Sequence, residues 1–401
     1  MWIRPLRRLA NALWALAKLT IIGAVVYLGS CAPARTILQT APNDLPAGFK
    51  TPQLGTVDAS VSRALLESEL YGPVVEPTVV SRNKVTRHPV LGGKAELLQF
   101  RLTAGYGAGT RPLDVAVVLP AGEPDAPLLL SQNFCPNSSV LPFAEIRRPE
   151  RNACAGFGAL RPIFEFVFGR HISEPPIGDI IEAGYAFAAT YPSQFVPDSA
   201  QAGTAALDTL FPEDLDRPGA LAVWAGLAPE VAQAVEELTA PRPVVAIGHS
   251  RFGKTALLSA AWFEEIDAAI SHQSGTLGAS RLTDEQGEPL GALVRSYPHW
   301  INRRAVAYAG SPESLPVRPR DLLGMLSDKS VLLGNARRDV WSDPFGAFVE
   351  ARAAWPGTFG AARPADFREE DRHAFWQRPG THGVTKEDWE AFLAWLDAQD
   401  F

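Results

Sequence analysis

Ser250 stands inside the run Pro243-Val-Val-Ala-Ile-Gly-His-Ser-Arg-Phe-Gly-Lys-Thr-Ala-Leu-Leu258. The apolar stretch Val244 to Ile247 has the length and β-branching of a buried strand, it breaks at Gly248, and a helix-forming run, Thr255 to Phe263, follows. Strand, sharp turn with a serine at its apex, then helix is the nucleophile-elbow arrangement. Such a turn lifts the hydroxyl above a sheet and aims a helix N-terminus at developing negative charge. The run departs from G-x-S-x-G in one place: Phe252 occupies the second glycine's position, and the glycine is Gly253. The plainer alternative is an ordinary serine in a strand-to-helix turn.

A serine nucleophile needs a base, and the base needs an acid to orient it. Among seven histidines, His382 in Pro379-Gly-Thr-His-Gly-Val384 immediately precedes the last periodic helix. His373 directly follows the charged run Arg368 to Arg372, a more solvated context, so His382 is favoured as the base. Asp339 follows the strand-like Val331 to Gly334 and is the expected acid. Asp343 is the second choice, because it precedes Pro344 and can instead cap a helix over Phe345 to Ala354. Arg251 and Lys254 sit where a helix dipole disfavours cations by about 0.3–1 kcal/mol each. Beside a nucleophile they suit an oxyanion and a negatively charged or hydroxyl-rich substrate. Otherwise they are surface cations meeting acids on nearby loops.

The elements that must position these residues alternate in type. A short helix around Ser60 to Leu70 precedes strand-like Ala95 to Thr103 and Leu113 to Pro120, which flank a glycine-rich loop as in an antiparallel hairpin. Leu128 to Ser131, Tyr185 to Thr190, Val244 to Ile247, Ala268 to Ser271 and Val331 to Gly334 read as buried strands. Between them, Leu221, Trp224, Leu227, Val231, Val235 and Leu238 recur at helical spacing; Thr385 to Ala398 closes the chain as a helix. This order predicts a three-layer α/β-hydrolase fold: a mostly parallel sheet, helices on both faces and an antiparallel N-terminal edge. The chain order serine, acid, histidine is also that fold's order.

The 401 residues, 46% hydrophobic, suffice for one large core, and the formal charge of −7 argues against nucleic-acid binding. The first 35 residues read apart from a single domain over 36–401. Arg4, Arg7, Arg8 and Lys18 without an acid, then apolar Leu19 to Leu28, then Leu28-Gly-Ser-Cys31, describe an export signal ending in a lipobox with Cys31 as the lipid site. An uncleaved anchor over Leu9 to Ala34 and simple cleavage are the alternatives. All three place the domain outside the cytoplasm, on the periplasmic side, with membrane contact through this segment alone. There Cys135 and Cys154 can pair in a disulfide, or stand as buried thiols. No His/Cys/Asp cluster has metal-ligand spacing, so neither metal nor cofactor is expected.

Gly248-His-Ser-Arg-Phe-Gly-Lys254 resembles the G-[CH]-S-R-x-G-K signature of carbohydrate esterase family 15, the glucuronoyl esterases, and in particular its bacterial branch. The resemblance continues through Tyr297-Pro-His-Trp300, Asp339-Val-Trp-Ser-Asp-Pro344 and Gly380-Thr-His-Gly-Val-Thr-Lys-Glu-Asp-Trp389, and more weakly Leu130-Ser-Gln-Asn-Phe134. It implies Ser250 as nucleophile, His382 as base and Arg251 in the oxyanion hole. Lys254 and Trp341 would lie against the sugar, with Gln273 on the substrate side; ordinary core packing is the other reading of Trp341. Fungal members of the family take their acid from a glutamate where this chain has Gln273, which leaves the role to Asp339. The glycine-rich block of many bacterial members is replaced by Gly275-Thr-Leu-Gly-Ala-Ser280.

The expected activity is therefore hydrolysis of a small-molecule or polysaccharide ester of a uronic acid or related carbohydrate through an acyl-enzyme. Two alternatives stand beside it: an acetyl or general carboxylesterase, and a non-catalytic, membrane-tethered carbohydrate-binding protein on a hydrolase fold.

Overall fold

The computed structural model describes residues 39–52, 59–107, 109–148, 174–212, 216–240, 242–282 and 287–401, together with Trp14 and Lys18. Cys31, Cys154 and nearly all of the N-terminal 35 residues lie outside the described residues. Among those described, no helix is long and apolar enough to cross a membrane.

In chain order the elements are α1 (Ala59–Leu66), β1 (Thr78–Arg82), β2 (Thr86–Val90), β3 (Ala95–Gly105), β4 (Thr110–Pro120), β5 (Leu128–Gln132), α2 (Ile177–Glu182), β6 (Ala186–Thr190), α3 (Ala200–Leu210), α4 (Ala220–Glu236), β7 (Val244–His249), α5 (Arg251–Trp262), β8 (Ala268–His272), α6 (Leu290–Ser296), α7 (Pro319–Gly324), β9 (Ser330–Ala336), α8 (Pro344–Ala354), β10 (His373–Arg378) and α9 (Lys386–Ala398). The strands form one sheet in the order β1-β3-β4-β6-β5-β7-β8-β9-β10, with β2 also paired to β3. From β6 to β10 every pairing is parallel, and from β1 to β6 every pairing is antiparallel.

The central strands read as unbroken apolar runs because both faces are covered. Alternate residues divide between two cores: Leu128, Leu130, Val244 and Ala246 enter one, while Leu129, Val245 and Ile247 enter the other. Helices α4, α5, α7 and α8 close the first core, α2 and α9 the second. Helix α4 contains Pro229, which has no N–H for the carbonyl of Ala225. The Ser259 hydroxyl on α5 donates to that carbonyl at 3.0 Å, so the break in one helix becomes a tie to the helix behind Ser250.

His373 corrects the sequence reading. It is fully buried as the first residue of β10, flat against Trp355 with ring centroids 4.2 Å apart, and bonded to Thr358 Oγ1 at 2.7 Å. The charged run ends one residue earlier, and pairing with β9 takes the histidine into the core.

Candidate active site

Ser250 links the end of β7 to α5 with φ 56° and ψ −122°, a backbone conformation that L-residues rarely adopt. The two glycines around it are steric requirements. A Cβ on Gly248 would fall 1.9 Å from Phe252 O, and one on Gly253 would sit 3.1 Å from both Gly248 O and His272 O. The second glycine thus stands where α5 crosses the strand ends, which accounts for its displaced position.

The two other members of the expected triad meet. His382 Nδ1 donates to Asp339 Oδ2 at 2.7 Å. Asp339 is buried; burial alone would raise its carboxyl, but His382 and the Ser342 hydroxyl beside it hold it below the ordinary range. Asp343 is spent elsewhere, at φ 45°, where it caps α8 through the N–H of Gly346 (2.9 Å) and accepts two bonds from Arg281 at 3.0 and 3.1 Å.

The loop that carries His382 is held from beneath. Gly380 and Gly383 take φ of 120° and 144°. Arg378 donates to the carbonyls of Pro379, Thr381 and Gly383, and its own charge is met by Asp388 Oδ2 at 2.6 Å. Asp388 is held far below the usual carboxylate range: burial opposes ionisation, and His272 and Arg378 overcome it. Gln273 was expected on the substrate side. Instead it is buried, and its amide donates to Thr381 O at 3.3 Å and accepts from Gly383 N–H at 2.9 Å. It braces the histidine loop.

A second histidine pair lies behind. The ring of His249 packs 4.5 Å from that of His382, and its Nδ1 is 2.9 Å from Nδ1 of His272, so only one of the two atoms carries a proton. His272 Nε2 lies 3.3 Å from Asp388 Oδ1. Burial, with His382 close by, holds His249 well below its ordinary pKa and hence neutral.

Arg251 pairs with Asp198 and lies over the rings of Phe134, Tyr297 and Trp300 at 5.0 to 5.5 Å. Asp198 also accepts from Trp300 Nε1 at 2.8 Å and faces His299 Nε2 at 3.1 Å. Lys254 is buried and donates to the carbonyls of Ser274 and Thr276; desolvation lowers its ammonium to about 8. Trp341 is half-buried. Its side chain hydrogen-bonds Glu288, whose carboxyl burial pushes up against the pull of Lys254, Arg251 and His382.

Asp198, Glu288 and Asp388 were not anticipated. The polar, proline-bearing segment after Thr190 was the one available hint of Asp198, and the capping pattern Thr385-Lys-Glu-Asp388 hints at that aspartate's place but not at its partners. Cys135 is buried and disulfide-bonded; its partner is outside the described residues.

A strained serine at the carboxyl edge of a parallel sheet, with a histidine–aspartate pair at the same edge, is the arrangement of an α/β-hydrolase. No family model matches the chain. It is 28% identical over 356 residues to Carbohydrate esterase MZ0003 from an unknown prokaryotic organism, covering 83% of this chain and 82% of that one. Glucuronoyl esterase from Solibacter usitatus superposes with a TM-score of 0.72 at 25% identity, over 92% of this chain and 99% of that one. A promiscuous family 15 esterase from the marine bacterial metagenome superposes with a TM-score of 0.74 at 24% identity, over 90% and 97%. Over most of its length the chain is thus similar to a curated carbohydrate esterase and to the glucuronoyl esterase of Solibacter usitatus, which supports a carboxylic ester hydrolase.

Proposed function

We propose that the protein hydrolyses carbohydrate esters of a uronic acid with Ser250 as nucleophile, His382 as base and Asp339 as the orienting acid. The observation that carries this reading is the 2.7 Å bond from His382 Nδ1 to a buried Asp339, at the sheet edge that also holds Ser250. Ser250 Oγ attacks the ester carbonyl as its proton passes to Nε2 of His382, while Nδ1–H stays on Asp339. The oxyanion faces Arg251 and backbone N–H groups where α5 begins. Collapse expels the alkoxide, which takes the proton from His382, and water repeats the sequence on the acyl-enzyme to release the acid.

Lys254, Glu288 and Trp341 supply a cation, a carboxyl acceptor and a ring edge for a hydroxylated, acid-derived sugar. Lys254→Met is expected to raise KM for methyl glucuronate about tenfold, the loss of one charge-assisted hydrogen bond, and to leave a simple acetyl ester unaffected. In the parent, the same KM should climb as pH rises through about 8, where the ammonium loses its proton, and the variant should lack that rise. Equal effects on both esters would favour the general carboxylesterase. That alternative draws support from the relative described as promiscuous. The non-catalytic alternative requires Ser250 to resist a fluorophosphonate probe.

The basic and apolar N-terminus ending in Cys31 supports export and lipid attachment on the periplasmic side. Cys31→Ser should move the protein from the membrane to the soluble fraction; retention in the membrane would mean an uncleaved anchor.

A further inference from the structure

A cavity of about 550 Å³ opens on the catalytic edge of the sheet and has no part in the chemistry above. Its floor is β3 and β4 at Arg101 and Asp114, which face each other in register; its walls are the segments after β5 and β6, with Arg147, Tyr191 and Gln194. Val115 on β4 lies opposite Thr190, the last residue of β6, so the cavity sits at the carboxyl ends of the parallel strands, as Ser250 does. The order β4-β6-β5-β7 separates the two by three strand spacings, ~14 Å. That is within reach of a short oligosaccharide. The two places also share a wall, since Pro197 lines the cavity and the next residue, Asp198, anchors Arg251.

Asp114 accepts from Arg101 Nε at 2.7 Å, Arg101 Nη2 at 2.9 Å and Gln194 Nε2 at 2.9 Å, and these donors hold its carboxyl low against burial. Arg147 reaches the same carboxylate only through one nitrogen at 3.4 Å, and most of its donors have no protein acceptor among the described residues. The backbone that carries Arg147 is held in place. The Arg147 N–H donates to Gln99 Oε1 at 2.7 Å, and the buried Gln99 donates in turn to Glu145 O at 2.9 Å. Tyr191 adds an aromatic ring to the wall. A cation whose fork donors mostly lack acceptors among the described residues, with an aromatic ring and amide groups around the cavity, is chemistry for an acidic sugar.

We propose that this cavity is a subsite for a second, carboxylate-bearing sugar of the same substrate, held by Arg147 while the ester lies at Ser250. The inference rests on the reading of the protein as a uronyl ester hydrolase. Its test uses the full chain and three substrates: methyl glucuronate, the methyl ester of an acidic oligosaccharide carrying a second, free uronate, and the same oligosaccharide with that free carboxylate reduced to an alcohol. Arg147→Gln should leave kcat and KM for methyl glucuronate unchanged and raise KM for the acidic oligosaccharide about tenfold at unchanged kcat. It should bring the parent's KM for that substrate to the value found for the reduced one, and Arg147→Lys should recover part of the difference. Equal KM changes on the acidic and reduced oligosaccharides would overturn the subsite while leaving the ester hydrolase intact. So would no change on either. A parent that cleaves none of the three esters would overturn the uronyl-ester reading, and the subsite with it.

Discussion

Ser250→Ala should lower kcat for any accepted ester by about 10⁵- to 10⁶-fold, to the residual level that binding and oxyanion contacts alone sustain. KM should change little, because the removed oxygen bonds to substrate only along the reaction path. The fold should tolerate the change, since alanine meets the same φ of 56° that serine does. Ser250→Gly supplies the internal comparison. It should be equally inactive and more stable than the parent by about 1 kcal/mol, because glycine takes that dihedral without strain. Catalytic loss together with a gain in Tm separates a strained reactive residue from a structural one. A Ser250→Ala variant that turns over at the parental rate would remove the nucleophile assignment entirely.

Why the elbow could be read from sequence while its surroundings could not is a matter of range. Ser250, Gly248 and Gly253 lie within six residues, and the contacts that demand the glycines are made inside the same turn or to the adjacent strand end. His382 and Asp339 followed from element order, because each stands just past a recognisable strand or just before a recognisable helix. Asp198 carries no such mark: it meets Arg251 across 53 residues of chain, through a loop with no periodicity. Glu288 is hidden for the same reason. Gln273 shows a different limit. Its identity was plain and it correctly excluded a carboxylate there, but φ of 49° turns it off the strand and under the histidine loop. Sequence periodicity describes side-chain direction only while the backbone stays regular. β10 escaped notice because a charged run leads into it, whereas its register against β9 buries His373, Ala374 and Phe375.

Asp339→Asn and Asp343→Asn should fail in opposite ways. Asparagine at 339 can no longer fix Nδ1–H of His382 as a carboxylate does, nor balance the imidazolium that forms in the transition state. kcat should fall about 10⁴-fold, a rise in barrier of ~5 kcal/mol, with KM little altered. The pH dependence carries the same signature. His382 and Ser342 keep the Asp339 carboxyl below its ordinary range, so this group contributes stability that is fully present at neutral pH and is lost only as pH falls through that lowered value. The asparagine variant should lack that acid-side component. Asp343→Asn removes the carboxylate that caps α8 and binds Arg281 with two bonds, and the site is almost wholly buried. A folding loss of about 3 kcal/mol is expected, read as a lower Tm and denaturation midpoint. Per folded molecule, kcat should remain within the parental range, since no bond joins this residue to His382. The opposite pattern, a stable but inactive Asp343→Asn beside an active Asp339→Asn, would transfer the acid's role to the helix cap.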